Sequence, residues 1–124
     1  MLTEKFYDVL KKEGVVSIVS WGLDEPHIVN TWNTYLVVTS DERILIPAAG
    51  MRRTQKNVEQ NNKVKLALGS KEVLGYKDYP GTGFIVEGTA KYLESGEAFD
   101  MMKEKYSWLS RVLEITVTSA KQTI

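Results

Sequence analysis

The sequence lacks cysteine altogether in its 124 residues. Disulfides, thiolate metal sites, iron–sulfur ligation and cysteine nucleophiles are therefore all excluded. An excess of charge of one sign is also missing, since 16 Lys and Arg balance 16 Asp and Glu to a formal net charge of +0. A balanced chain does not have the electrostatic footprint of a protein that binds nucleic acid or an anionic membrane. Neither nucleic acid nor membrane is expected as a partner.

Long apolar runs are absent as well, and the N-terminal segment carries Glu4 and Asp8 where a signal peptide would have basic residues. The sequence thus predicts neither a signal peptide nor a transmembrane helix, and a cytoplasmic location is the default expectation. Histidine is nearly absent: His27 follows Pro26 and has no second ligand or acid–base partner nearby. It receives no metal or catalytic role, and a cofactor-dependent function is favoured over hydrolysis.

The sequence does contain a series of short strand patterns with three helical segments between them. A chain of this length predicts one domain, residues 1–124. Periodicity and turn residues predict strands over Gly14–Trp21, His27–Thr39, Arg43–Pro47, Lys63–Gly69, Phe84–Tyr92 and Leu113–Thr118. Helices are predicted over Leu2–Lys12, ended by a left-handed Gly14, and over Arg52–Gln60 and Glu97–Trp108. This mainly β pattern favours a small antiparallel barrel, with dimerisation to cover the remaining strand edges.

One candidate site begins at Gly50, where a glycine-led turn precedes a predicted helix that carries Arg52, Arg53, Thr54 and Lys56 near its start. Free backbone N–H groups and cationic side chains at a helix N-terminus bind phosphate monoesters. Adjacent arginines in such a position are also typical of a solvated helix face, so both interpretations stay open on the pattern alone.

A second candidate site is the polar segment from Asn30 to Tyr35, which interrupts an otherwise strand-like sequence. Buried amides and hydroxyls need hydrogen-bond partners. A planar heteroaromatic ring edged with nitrogen and oxygen would supply them, and so would neighbouring loops or a dimer partner.

A resemblance to a known family extends over almost the whole chain. The segments that carry it are Gly14–Val16, Pro26–His27, Val29–Asn33, Gly50–Met51, Gly81–Phe84, Ile115–Val117, Ser119–Ala120 and Gln122–Thr123. They resemble the small FMN-binding proteins of sulfate-reducing bacteria, which belong to the pyridoxamine-phosphate-oxidase-like, FMN-binding split-barrel family. The resemblance implies a six-stranded antiparallel split barrel of Greek-key type, a homodimer, and non-covalent FMN held where the subunits meet.

The resemblance also implies roles for individual residues. Arg53 and Thr54 would bind the FMN phosphate, with Arg52 and Lys56 adding charge nearby; the family more often has Lys where this chain has Arg53. Ile124 would cover the flavin of the other subunit, and Glu13 would place a carboxylate near the site. The full set of cofactor-binding positions implied is Asn30, Thr31, Trp32, Asn33, Tyr35, Pro47, Ala49, Gly50, Arg52, Arg53, Thr54, Trp108 and Ile124. Trp32, Tyr35 and Trp108 would lie near the isoalloxazine.

The leading functional hypothesis is an electron-transfer flavoprotein, or a weak flavin reductase, that works with an unidentified redox partner protein. An alternative is a flavin-dependent oxidase or reductase that acts on a small organic substrate. Pyridoxamine-phosphate oxidases are longer and add C-terminal residues for their substrate, so oxidation of pyridoxamine phosphate is not expected here. A third hypothesis, a non-catalytic barrel that binds protein or nucleic acid, is opposed by the balanced charge and by the resemblance.

Overall fold

The computed structural model describes all residues, 1–124, as seven antiparallel strands with three short helices. The helices are α1 (Glu4–Leu10), α2 (Arg52–Gln60) and α3 (Glu97–Lys105). The strands are β1 (Val15–Trp21), β2 (Pro26–Trp32), β3 (Val37–Val38), β4 (Arg43–Ala48), β5 (Lys63–Ser70), β6 (Thr82–Leu93) and β7 (Arg111–Gln122). Two 3₁₀ turns occupy Asn33–Tyr35 and Tyr76–Asp78.

The prediction of six strands is wrong, because the segment predicted as one strand over 27–39 forms two strands separated by a 3₁₀ turn. The backbone N–H of Asn33 donates to the carbonyl of Gly14 at 2.9 Å. Its side-chain Nδ2 donates to the carbonyl of Gly69 at 3.0 Å. These bonds bend the chain away from the direction of β2, and the short strand β3 then forms at the opposite edge of the sheet.

The strand order β2-β1-β5-β6-β7-β4-β3 leaves β2 and β3 at opposite edges of one sheet. Only residues 33–36 connect these two edges. Five residue steps span no more than about 18 Å, so the sheet must curl until its edges approach each other. Since β2 and β3 are not hydrogen-bonded to each other, the curled sheet is a barrel with one open seam.

The inside of the curled sheet holds the main hydrophobic core, a cluster of 17 buried residues. Helix α1 adds Phe6 and Val9 to it, and the Phe6 ring packs edge-on against Phe84 with centroids 5.4 Å apart. Under α3 lies a second cluster, formed by Leu45, Met102, Leu109 and Val112. Strand β7 lies between the two clusters, which is why residues 111–115 are all buried and do not alternate as predicted.

The predicted end of α1 also needs correction. The helix ends at Leu10, and Lys11 caps it in a right-handed conformation. Gly14 is not among the residues with positive φ. A Cβ at Gly14 would lie 2.6 Å from Nδ2 of Asn33 and 2.7 Å from the carbonyl oxygen of Gly69. Glycine is thus required there by the close packing of three segments and not by a helix cap. None of the three helices is long and apolar enough to span a membrane.

Candidate functional site

The start of α2 presents a row of unused backbone donors. β4 ends at Ala48, and the chain turns through Ala49 and Gly50 to Met51, which adopts a left-handed conformation (φ 61°, ψ 34°). The first intrahelical bond runs from the N–H of Gln55 to the carbonyl of Met51. The amides of residues 50–54 have no acceptor in the chain, and no side chain caps the helix. Consecutive free N–H groups at the positive end of a helix form an anion-binding site.

Thr54 gives independent evidence for a ligand at this helix start. Its side chain is fully buried, yet its Oγ1 has no hydrogen-bond partner. A buried hydroxyl without a partner costs about 1–3 kcal/mol, so such groups are rare unless a ligand or water completes them. Arg52 and Arg53 are exposed beside it, which places two cations next to the free amides. The hydroxyl, the amides and the guanidinium groups together are a donor set suited to a phosphate monoester.

Three aromatic rings lie beside this region. Tyr35, Tyr106 and Trp108 form a cluster with centroid separations of 5.3, 5.4 and 5.8 Å. The hydroxyl of Tyr106 donates to the carbonyl of Thr34 at 3.2 Å, and burial raises the pKa of this phenol. Trp108 leads, through Leu109, to the N–H of Ser110, which donates to the carbonyl of Ala48 at 2.9 Å. The cluster is therefore joined to the end of β4 just before the anion-binding turn.

Trp32 does not belong to this aromatic cluster. It lies on the outer face of β2, directly opposite Val15, and its side chain is 50% exposed. Asn30 lies on the same outer face, and its Oδ1 accepts a hydrogen bond from the hydroxyl of Ser17 at 3.0 Å. Both side chains are open to a ligand that approaches the outside of the sheet.

The other predicted positions are more enclosed. Thr31 points into the barrel, and Pro47 is buried in β4. Asn33 is fully buried, and its Nδ2 donates to the carbonyls of Gly69 in β5 and Val9 in α1 of its own chain. Its Oδ1 remains without a partner.

Glu13 and Ile124 lie in a separate groove of about 730 Å³, bordered also by Tyr79 and by residues 81–85. The carboxylate of Glu13 accepts a hydrogen bond from the hydroxyl of Thr34 at 3.1 Å. Thr34 directly precedes Tyr35 in the sequence. The terminal backbone oxygen of Ile124 accepts from Oγ1 of Thr82 at 2.8 Å. This contact fixes the end of the chain while 46% of the Ile124 residue surface stays exposed.

One residue that the sequence analysis did not single out also contacts the anion-binding turn. Arg111, the first residue of β7, is buried and donates to the carbonyl oxygens of Ala49 and Gly50. The contact joins positions about 60 residues apart, so no local pattern reveals it. A lone arginine before an apolar run was the sole available signal.

Comparisons with known proteins identify the family and the fold. The family model described as pyridoxamine 5'-phosphate oxidase matches residues 2–123. The FMN-binding protein of Nitratidesulfovibrio vulgaris (strain DSM 19637 / Miyazaki F) is 44% identical over 124 residues, which cover 100% of both chains. Among solved structures, HupZ of Group A Streptococcus superposes with a TM-score of 0.80 at 18% identity, covering 98% of this chain and 94% of that one. An FMN-binding protein of Syntrophomonas wolfei gives 0.76 at 18% identity, covering 99% and 86%. The chain therefore belongs to the pyridoxamine 5'-phosphate oxidase family.

Proposed function

We propose that this protein binds FMN non-covalently, as a homodimer, and carries electrons to or from a redox partner protein. The observation that carries the proposal is the anion site at the start of α2, with its free amides and the unpaired buried hydroxyl of Thr54. The curated relative that is 44% identical is named an FMN-binding protein, which supports the same cofactor. Bound FMN would supply reversible electron uptake and release through its isoalloxazine.

The phosphate of FMN would be held by the helix start. A phosphate monoester carries a charge of about −1.5 to −2 at neutral pH, so it needs both hydrogen-bond donors and positive charge. The amides of residues 50–54 supply the donors, the hydroxyl of Thr54 gains the partner that it lacks, and Arg53 supplies a planar guanidinium that can bind two phosphate oxygens. Riboflavin, which has no phosphate, would use none of these groups.

The ring of FMN would be held by the aromatic side chains. Tyr35 and Trp108 form one apolar surface that continues from the phosphate turn, and Trp32 presents a second on the outer face of β2. These rings exclude water from the isoalloxazine and so help to set its potential. Glu13 would add a negative charge near the ring, which disfavours further negative charge on the flavin and lowers the midpoint potential.

A second copy of the chain is needed to enclose the flavin. Trp32 and Trp108 are each about half exposed, at 50% and 48%, and the cationic side chains of Arg52 and Arg53 lie on the surface. Cofactor sites normally bury 70–90% or more of their ligand, which an open surface of this kind does not achieve. The outer sheet face around Trp32 also exposes Val15, Ile28 and Ile85, an apolar area suited to a subunit interface. Ile124 of one subunit would then cover the flavin of the other.

Sedimentation velocity recorded at the flavin absorbance tests cofactor and assembly together. We expect a single species with the mass of two 14.0 kDa chains and about one FMN per chain, identified after release by heat. The same experiment with apoprotein titrated by riboflavin serves as the control and should give weaker loading. A colourless protein that ignores added FMN, or a monomer that holds FMN tightly, would contradict the proposal.

Electron carriage and substrate turnover differ in what reduces the flavin. Electron carriage needs only close approach of a redox partner, whereas oxidation of an organic substrate requires an acid or base in reach of the reacting atoms. We expect slow anaerobic reduction by NADH and NADPH and fast reduction by a low-potential protein or dye. Rapid multiple turnover with either nucleotide would favour a flavin-dependent oxidase or reductase over an electron carrier.

Flavin fluorescence tests the placement of the rings. An indole or phenol in contact with excited isoalloxazine donates an electron to it, so bound FMN should be almost non-fluorescent. Replacing Trp32 with Phe is expected to restore more emission than replacing Trp108 with Phe, and Trp21→Phe is a control on β1. Greater recovery from Trp108→Phe would place the ring against the cluster of Tyr35, Tyr106 and Trp108.

A further inference from the structure

Arg111 is a buried cation that has no carboxylate partner. Its side chain is almost completely enclosed, with the residue 2% exposed. Nε donates to Oε1 of Gln55 at 2.6 Å, Nη1 to the carbonyl of Ala49 at 3.3 Å and to the hydroxyl of Ser110, and Nη2 to the carbonyl of Gly50. None of the ion pairs of the chain includes Arg111. All its partners are neutral, although a buried charge is normally paired.

The ring of Tyr92 lies over the guanidinium of Arg111, with 5.5 Å between Cζ and the ring centroid. Burial raises the pKa of this phenol to about 12, so it stays neutral at physiological pH. Tyr92 therefore offers a cation–π contact but no counter-charge. Arg111 therefore places a positive charge with no ion-pair partner next to the turn that leads into α2.

The contacts of Arg111 also determine where the amides of that turn point. A trans peptide is planar, and its C=O and N–H point in opposite directions. The structure contains no cis peptide bonds. Since the carbonyls of Ala49 and Gly50 point inward to Arg111, the N–H groups of Gly50 and Met51 point outward. These are the first two of the five amides that have no acceptor.

We propose that Arg111 is a positioning residue for the FMN phosphate: it fixes the outward amides of Gly50 and Met51 and supplies a buried positive charge behind them. The inference rests on the proposed function, since it assumes that FMN places its phosphate at this helix start. Arg111 does not touch the phosphate. It makes the site selective for the phosphorylated flavin, because riboflavin presents no negative charge to the turn.

Replacing Arg111 with Gln, and in a second variant with Lys, tests this role through the dissociation constants of FMN and riboflavin. For Arg111→Gln, FMN should bind about tenfold more weakly while riboflavin changes less than about twofold, since the lost positive charge and the released amides act on the phosphate, which only FMN carries. Arg111→Lys keeps the charge but cannot donate to both carbonyls, so its affinity for FMN should fall about threefold. If the Gln variant does not fold, the dissociation constants of the Lys variant for FMN and riboflavin provide the test. A purely structural role would weaken both flavins equally, which would overturn the inference.

Arg43→Gln is the matched control, because Arg43 lies at the opposite end of the β4–β7 pair and contacts Asp41 and Glu114. It should change the FMN-to-riboflavin affinity ratio by less than about twofold. Arg53→Ala, measured in parallel, distinguishes a failure of the Arg111 role from a failure of the phosphate site itself. If Arg53→Ala weakens FMN selectively and the Arg111 variants do not, the inference fails and the phosphate site stands. If none of these variants is selective, the phosphate site itself is misplaced.

Discussion

Replacing Arg53 with Ala is expected to weaken FMN binding by about 10–150-fold and to leave riboflavin binding nearly unchanged. The guanidinium would form charge-assisted hydrogen bonds to the phosphate, and the loss of such a contact costs about 1.5–3 kcal/mol. Arg53 is exposed on the second residue of α2, so its removal leaves no buried group unpaired and should not affect the fold. Titration of apoprotein with each flavin, followed by fluorescence quenching, gives both constants.

Lys63→Ala is the matched control for Arg53→Ala. It removes the same charge from the chain at a position just beyond the C-terminal end of α2. A nine-residue helix is about 13 Å long, so the two positions are well separated. The control should leave both affinities unchanged. Equal losses of FMN and riboflavin for Arg53→Ala would show that the phosphate lies elsewhere.

Removing Ile124 is expected to weaken FMN and riboflavin to the same extent, by about 10–150-fold. Burial of one large aliphatic side chain contributes about 1.5–3 kcal/mol, and the proposed contact is to the ring that both ligands share. The loss of cover also admits water to the isoalloxazine, so the midpoint potential should shift. Removal of Ile124 is thus expected to weaken both flavins, whereas Arg53→Ala is expected to weaken FMN alone.

Ile124→Ala separates the side chain from the chain end. The terminal oxygen, which accepts from Thr82 and Gln122, is retained in this variant and lost in the deletion. Comparable losses for the two variants would assign the effect to the aliphatic side chain. Unchanged affinity and potential in both variants would mean that Ile124 does not cover the partner's flavin.

Local patterns predicted most of the secondary structure of this chain. Residues 52–60 are helical as predicted, since a small-residue turn precedes a segment of good helix formers. The strands predicted from alternation at 63–69 and 84–92 are present and slightly longer. The antiparallel barrel also followed from the number of short strands and their turns.

The parts that were not predicted depend on contacts between distant segments. Asn33 looked like one polar residue in a long strand, but it bonds to Gly69 and Val9 and bends the chain there. Gly14 matched a helix cap in spacing, whereas it is needed because Asn33 and Gly69 pack against it. The sequence does not show which distant residues Asn33 and Gly14 contact. The roles of these two residues in the fold could therefore not be predicted from local patterns.

The candidate site shows the same division. The proposed phosphate site at 50–56 is contiguous in sequence, so its glycine, its cations and its helical pattern are sufficient to suggest it as a hypothesis. Arg111 supports that site from about 60 residues away, and its buried contacts with Ala49 and Gly50 exist only in the folded chain. The aromatic residues were predicted as a group, yet the structure places Trp32 on a different face from Tyr35 and Trp108.

The central claim, that FMN seats its phosphate on the start of α2, is tested most directly by Thr54→Val with two measurements on one variant. Val replaces the unpaired buried hydroxyl with a methyl group of similar size, so the apoprotein should become about 1 kcal/mol more stable to urea. The same change should weaken FMN about tenfold and leave riboflavin unchanged, while Thr54→Ser retains wild-type FMN affinity. Stability and FMN affinity are thus predicted to move in opposite directions. Unaltered FMN affinity in Thr54→Val would contradict the account.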